Sequence, residues 1–194
     1  VTAERVDDAE NERNWMLLLD EEWTDSGGEA ADATAMPPAE AIVGGWLVER
    51  DGTIARFTAN PLYEPKSPAA PTSPVDATAA LVASGRAGVE AVLLALRDSL
   101  VEVAVDGEGG VIVAPAPDGV PCVLVASGAV DQARIDAADW RQVDLDGLLT
   151  LLPDGVDILL NPGGPRAMRL FADALRDLAA EDVPQSDEPW PFAP

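Results

Sequence analysis

The chain has 194 residues, 47% of them apolar, and carries 12 basic against 35 acidic side chains for a formal net charge of −23. That apolar fraction excludes a disordered acidic chain and suffices for a buried core, while so large a deficit of Lys and Arg argues against phosphate backbones and anionic lipid as partners, since both need clustered cations. There is no histidine, which removes the Ser-His-Asp and Cys-His catalytic sets and the commonest metal ligand.

Residues 1–13 (VTAERVDDAENER) are polar and lack an apolar h-region, so they read as a flexible N-terminus and not as a signal peptide. Asn14 to Asp20 is an apolar run of strand length closed by Asp20-Glu21-Glu22. Trp15, Leu18, Leu19 and Glu22 also follow helical spacing, but the polar flanks and short length favour a strand. Thr24 to Glu40 shifts to Asp, Gly, Ala, Ser and Pro, a loop composition. Ala41–Glu49 and Thr53–Ala59 flank Arg50-Asp51-Gly52, and Asp-Gly between apolar runs is a strong hairpin signal. With Asn14–Asp20 this hairpin predicts a three-stranded antiparallel sheet, so residues 14–59 form an N-terminal β region. Gly44-Gly45 before Trp46 marks a bulge or a close approach of another backbone.

Residues 60–74 (NPLYEPKSPAAPTSP) hold five prolines in fifteen positions, which excludes helix and central strand and predicts a Pro-rich extended linker. Ser73 is placed to cap a helix that starts near Pro74 and ends at Gly85. A second helix is predicted from Gly88 to Leu100, with Val89, Val92, Leu93, Leu96 and Leu100 on one stripe and Glu90, Arg97 and Asp98 opposite. Leu100–Val105 alternates as a strand, Asp106–Gly110 turns it into Val111–Val113, and Val120–Ala126 makes a third strand. Cys122, the one cysteine, falls in that third strand and reads as core filler, because a single thiol forms no internal disulfide and an apolar setting disfavours the thiolate. A short helix from near Asp131 or Asp136 to Trp140 follows, then an apolar turn over Leu148–Leu152.

After Pro153-Asp154-Gly155, the run Val156–Leu160 shows no polar/apolar alternation and reads as a central strand buried on both faces. Asn161-Pro162-Gly163-Gly164-Pro165 ends it, and Pro165 suits the first turn of a following helix. In that helix Met168, Phe171, Ala172, Leu175, Leu178 and Ala179 line one face, with Arg166, Arg169, Asp173, Arg176 and Asp177 opposite, so it is expected to lie on the sheet. Residues 180–194 read as a flexible acidic, Pro-rich tail whose exposed aromatics Trp190 and Phe192 are candidate partner contacts.

The turn-strand-corner-helix sequence LLPDGVDILLNPGGPRAMRLFADAL, with Asn161-Pro162-Gly163 at its centre, resembles the closing motif of the SseB N-terminal-type domain. The longer pattern of NWMLLLDEEW, PPAEAIVGGWLVERDGTIARFTANPLY, and LVEVAVDG followed by APDGVPCVLVAS resembles actinobacterial type VII secretion system-associated proteins, over nearly all of residues 14–179. The resemblance implies an SseB-like domain over residues 75–179 and a role tied to type VII secretion, and it brings no catalytic residues with it.

Lys66 is the only lysine and lies beside Ser67; on an extended chain the two point apart, against a Ser-Lys nucleophile-base pair. Asp20-Glu21-Glu22, Asp154 with Asp157, and Asp106–Gly110 are the groupings a metal would draw on, and turn acid is the favoured reading of each. The Gly163-Gly164 corner matches neither GxGxxG nor a Lys-bearing P-loop, so Asn161, Gly163, Gly164 and Arg166 are marked as a structural corner and as the place where a small anion would sit. No catalytic, cofactor-binding or metal-binding residue is assigned. The expected fold is α+β, a mixed or antiparallel sheet with helices packed on it and the N-terminal β-hairpin region packed onto the SseB-like domain. The expected function is that of a non-enzymatic, cytoplasmic accessory protein of type VII secretion, an adaptor or chaperone-like protein. Its expected partners are proteins, either secretion components or substrates, with no nucleic acid, membrane insertion or cofactor. The alternative is an immunity- or inhibitor-type acidic protein that masks a basic toxin or enzyme.

Overall fold

The computed structural model describes residues 14–20, 37–67, 70–181, 183–184 and 190. The expected flexible N-terminus, Glu21, Glu22, most of the Thr24–Glu40 loop and Phe192 lie outside the described residues. The chain is α+β and divides into two compact units, Val1–Ala87 with Asp182–Pro194, and Gly88–Glu181.

In the first unit, β1 (Asn14–Leu19), β2 (Ile42–Val48) and β3 (Ile54–Ala59) form an antiparallel sheet in that order. The hairpin turns where Asp-Gly predicts, with Gly52 at φ 86° and Asp51 Oδ1 accepting from Thr53 N at 2.9 Å. Helix α1 (Pro74–Ala83) packs on β1 and β2, and its start is capped as expected, Ser73 Oγ accepting from Asp76 N at 3.1 Å. The glycine pair serves close approach: a Cβ on Gly44 would lie 2.3 Å from Phe57 Cζ and 2.5 Å from the Thr58 carbonyl oxygen. Phe57 thereby stands edge-on to the fully buried Trp46, with ring centroids 4.8 Å apart.

Residues 60–74 are not a free linker. Asn60 is buried, and its Nδ2 donates to the carbonyls of Ala39 and Ile42 at 2.7 Å each. The Tyr63 hydroxyl lies 2.9 Å from Asp20 Oδ2 and 3.0 Å from the Pro71 carbonyl, sharing its proton between them. The path is also not simply extended, since it turns where Tyr63 N donates to the Asn60 carbonyl and Ala70 N to the Ser67 carbonyl, and the polar side chains of Asn60 and Tyr63 tie it to the first unit. The division between units therefore falls after Ala87, and α1 groups with the N-terminal strands. Trp190 also departs from expectation, being only 7% exposed. It meets Trp15 edge to face at 5.4 Å in a cluster with Leu17, Ile42, Leu47 and Ala55, because an indole with an apolar seat within reach leaves water.

The second unit runs α2 (Val89–Arg97), β4 (Val101–Val105), β5 (Val113–Pro115), β6 (Pro121–Ala126), α3 (Ala129–Gln132), β7 (Asp139–Val143), α4 (Leu145–Leu151), β8 (Asp157–Leu160), β9 (Met168–Leu170) and α5 (Ala172–Ala179). Its mixed sheet has the order β7-β4-β6-β8-β9, with β5 also paired to β6; β6 and β8 are parallel and the other pairs antiparallel. The central position expected for the VDILL strand is observed, and Ile158, Leu159 and Leu160 are all buried. One sheet face carries Ala104, Cys122, Leu124 and Leu159 under Ile112, Ala114, Ile135, Ala137 and Trp140. Residues of the other parity, Val103, Val123, Val125, Ile158 and Leu160, are fully buried, as are Val92, Leu96, Leu148 and Leu175 of α2, α4 and α5.

The region after β8 divides differently from the sequence reading. The chain reverses through Asn161 (φ 51°) and Gly163 (φ 75°), Met168–Leu170 pairs back on β8, and α5 begins at Ala172 instead of Pro165. Asp157 directs this, since its Oδ1 accepts from Ala172 N at 3.0 Å and its Oδ2 from Arg169 at 2.9 Å, capping the helix from the adjacent strand. Phe171, expected on the buried stripe, precedes the helix and is 58% exposed. Trp140 lies in β7, beyond the short α3. Arg97 and Asp98, expected on the solvated face, form a buried bidentate pair at 2.8 and 2.9 Å, each charge compensating the other. Among the described residues no helix is long and apolar enough to cross a membrane.

Candidate functional site at the ends of the parallel strands

Because β6 and β8 are parallel neighbours, their carboxyl ends open on the same side of the sheet. Ser127-Gly128 follows one strand and Asn161-Pro162-Gly163-Gly164-Pro165-Arg166 follows the other. This end of a parallel pair is where ligands tend to collect, and the corner marked from the sequence falls there.

Asn161 is fully buried, and its side chain is used at both ends. Oδ1 accepts from Ser127 N and Nδ2 donates to Ser127 Oγ, each at 2.9 Å, while the Asn161 backbone N–H donates to the Val125 carbonyl at 2.8 Å. Ser127 Oγ donates in turn to Asp131 Oδ2 at 3.3 Å, and Arg134 pairs with Asp131 Oδ1. A Cβ on Gly164 would lie 3.2 Å from both Arg134 Nη1 and the Asn161 carbonyl oxygen, so glycine lets the guanidinium close over the turn. Gly163 supplies the positive φ that turns the chain. Arg166 is half-buried in the same turn, but the cation at the centre of the latch is Arg134.

The structure thus joins Asn161, Gly163 and Gly164 to Ser127, Asp131 and Arg134, three residues that sequence reading did not mark. Asp131 and Arg134 stand at i,i+3 spacing, a visible signal for a pair. Their meeting with Asn161 depends on the parallel contact of β6 with β8, which no local pattern reveals. Chemically the arrangement is a latch between two strand ends, since the amide, the hydroxyl and both carboxylate oxygens are turned on one another.

The other marked groups have structural work of their own. Asp106 Oδ1 accepts from Glu108 N and Gly110 N at 2.9 and 2.8 Å, the pattern of a turn acid. Asp157 and Asp118 flank Arg169 at 2.9 Å each, and Arg169 lies 4.8 Å over the Phe171 ring. Asp20 is buried beside Tyr63, and Asp154 is exposed. Among the described residues no three His, Cys, Asp or Glu side chains are grouped to hold a metal ion. The Cys122 thiol is buried, and desolvation, followed by the charge of Asp157, pushes its pKa above the ordinary value. Set against known proteins, the chain matches no protein-family model, no curated protein and no solved structure.

Proposed function

We propose that this chain is a non-enzymatic accessory protein of a type VII secretion system, an adaptor or chaperone-like protein that acts in the cytoplasm by contact with other proteins. The observation that carries this reading is the sequence resemblance over residues 14–179, centred on LLPDGVDILLNPGGPRAMRLFADAL. Co-purification from the native host tests the reading. It is expected to recover secretion components or substrates, and recovery of neither refutes it.

The net charge of −23 favours a second reading, in which the acidic surface masks a basic toxin or enzyme. Its mark would be tight association with the basic product of a neighbouring gene, with an association rate that falls steeply as salt is added. Binding to secretion components that survives added salt speaks for the first reading.

A further inference from the structure

We propose that the apolar socket on the sheet of the first unit is a peptide-docking site, and that the chain's own C-terminal residues occupy it in cis through Trp190. The socket is built from Trp15 and Leu17 of β1, Ile42 and Leu47 of β2, and Ala55 of β3. With Trp190 in place, Leu17, Ile42, Leu47 and Ala55 are at most 1% exposed and Trp15 is 9% exposed. The indole of Trp190 stands edge to face against Trp15, at a centroid distance of 5.4 Å and an interplanar angle of 77°.

A second contact lies on the outer edge of the same sheet. β3 pairs with β2 on its inner side, and Arg56 N donates to the Pro184 carbonyl at 3.2 Å. A main-chain bond at a sheet edge, combined with a pocket for one side chain, is how sheets take up extended peptides. Val183, Pro184 and Trp190 belong to no helix or strand. A competing ligand therefore needs a carbonyl for Arg56 N and an indole six residues further on, the spacing of Pro184 and Trp190. The partner class is a peptide segment anchored by tryptophan, and its binding would displace the chain's own Trp190. This inference is independent of the secretion reading.

The test uses the full chain carrying Trp190→Ala, titrated with a fluorophore-labelled peptide of residues 183–194 and followed by fluorescence anisotropy. The variant is expected to bind saturably, at least about tenfold more tightly than the wild-type chain, whose socket is already filled. Replacing the tryptophan of the peptide by alanine is expected to abolish binding. No binding by the variant, or equal binding by variant and wild type, overturns the proposal. Should Trp190→Ala fail to fold, Trp190→Leu is tested with the same two outcomes. Failure of both to fold makes Trp190 a fixed core residue and overturns the proposal as well.

Discussion

Asn161 binds two strand ends with one side chain while holding a left-handed backbone at φ 51°. Asparagine enters that region more readily than most residues, and here its amide also meets both polar groups of Ser127. Alanine would keep the strained backbone and leave Ser127 N and Oγ without these partners, at about 1–3 kcal/mol for each buried group. Asn161→Ala is therefore expected to destabilise the second unit by about 3 kcal/mol, with Asn161→Gly falling between it and wild type because it relieves only the backbone. Denaturant unfolding followed by Trp140, the one tryptophan between Gly88 and Glu181, orders the three proteins. A glycine variant as stable as wild type would remove the hydrogen bonds from the account.

In the folded protein the pKa of the Cys122 thiol is raised above its ordinary value, first by burial and then by the Asp157 charge. Its contribution to stability is then fully present below the pKa of the unfolded thiol and is lost as pH climbs through the folded value. At neutral pH the thiol is both protonated and covered, so labelling by a thiol reagent should be roughly a hundredfold slower in native buffer than in denaturant. Rapid labelling of the native protein would contradict this burial.

At the scale of elements, the β2–β3 ladder depends on a missing side chain. A Cβ on Gly44 would meet not only the Phe57 ring but also the Thr58 backbone carbonyl at 2.5 Å, and backbone in a paired strand cannot swing aside. Gly44→Ala is expected to cost about 1–3 kcal/mol or more and to disturb the Trp46–Phe57 contact, read as a change in near-ultraviolet circular dichroism together with a lower unfolding midpoint. An unchanged midpoint would show that the sheet can relax there.

The elements legible from sequence are those whose causes are local. The Asp51-Gly52 hairpin, the Ser73 cap and the apolar run of β8 each carry their reason within a few residues. The start of α5 is not legible locally, because Met168 on the apolar face and Arg169 on the polar face suit a helix as well as a strand. What assigns them to β9 is the Asp157 carboxylate, fifteen positions upstream of Ala172, holding the Ala172 N–H and Arg169. Trp140 shows the same limit: it joins β7 through pairing with Ala104, a contact remote in sequence.

At the scale of the whole molecule, the division into units follows side-chain ties more than composition. Five prolines in residues 60–74 look like an extended linker. Asn60 and Tyr63 nonetheless fasten that segment to the first unit, and Trp190 returns from beyond the second unit to the same sheet. Long-range contacts of this kind leave no periodic trace, so a polar, Pro-rich tail reads as solvated until its one indole finds a seat. The candidate corner was half legible, with Asn161, Gly163 and Gly164 visible as a strand end and Ser127, Asp131 and Arg134 supplied by the parallel neighbour.

We propose that this acidic chain works by touching other proteins of a secretion system. It is tested most directly by quantitative mass spectrometry of the culture medium from the native host with and without the gene. Type VII substrates are expected to fall in the medium of the deletion strain and to return when the wild-type chain is restored. Unchanged amounts of every such substrate would contradict it.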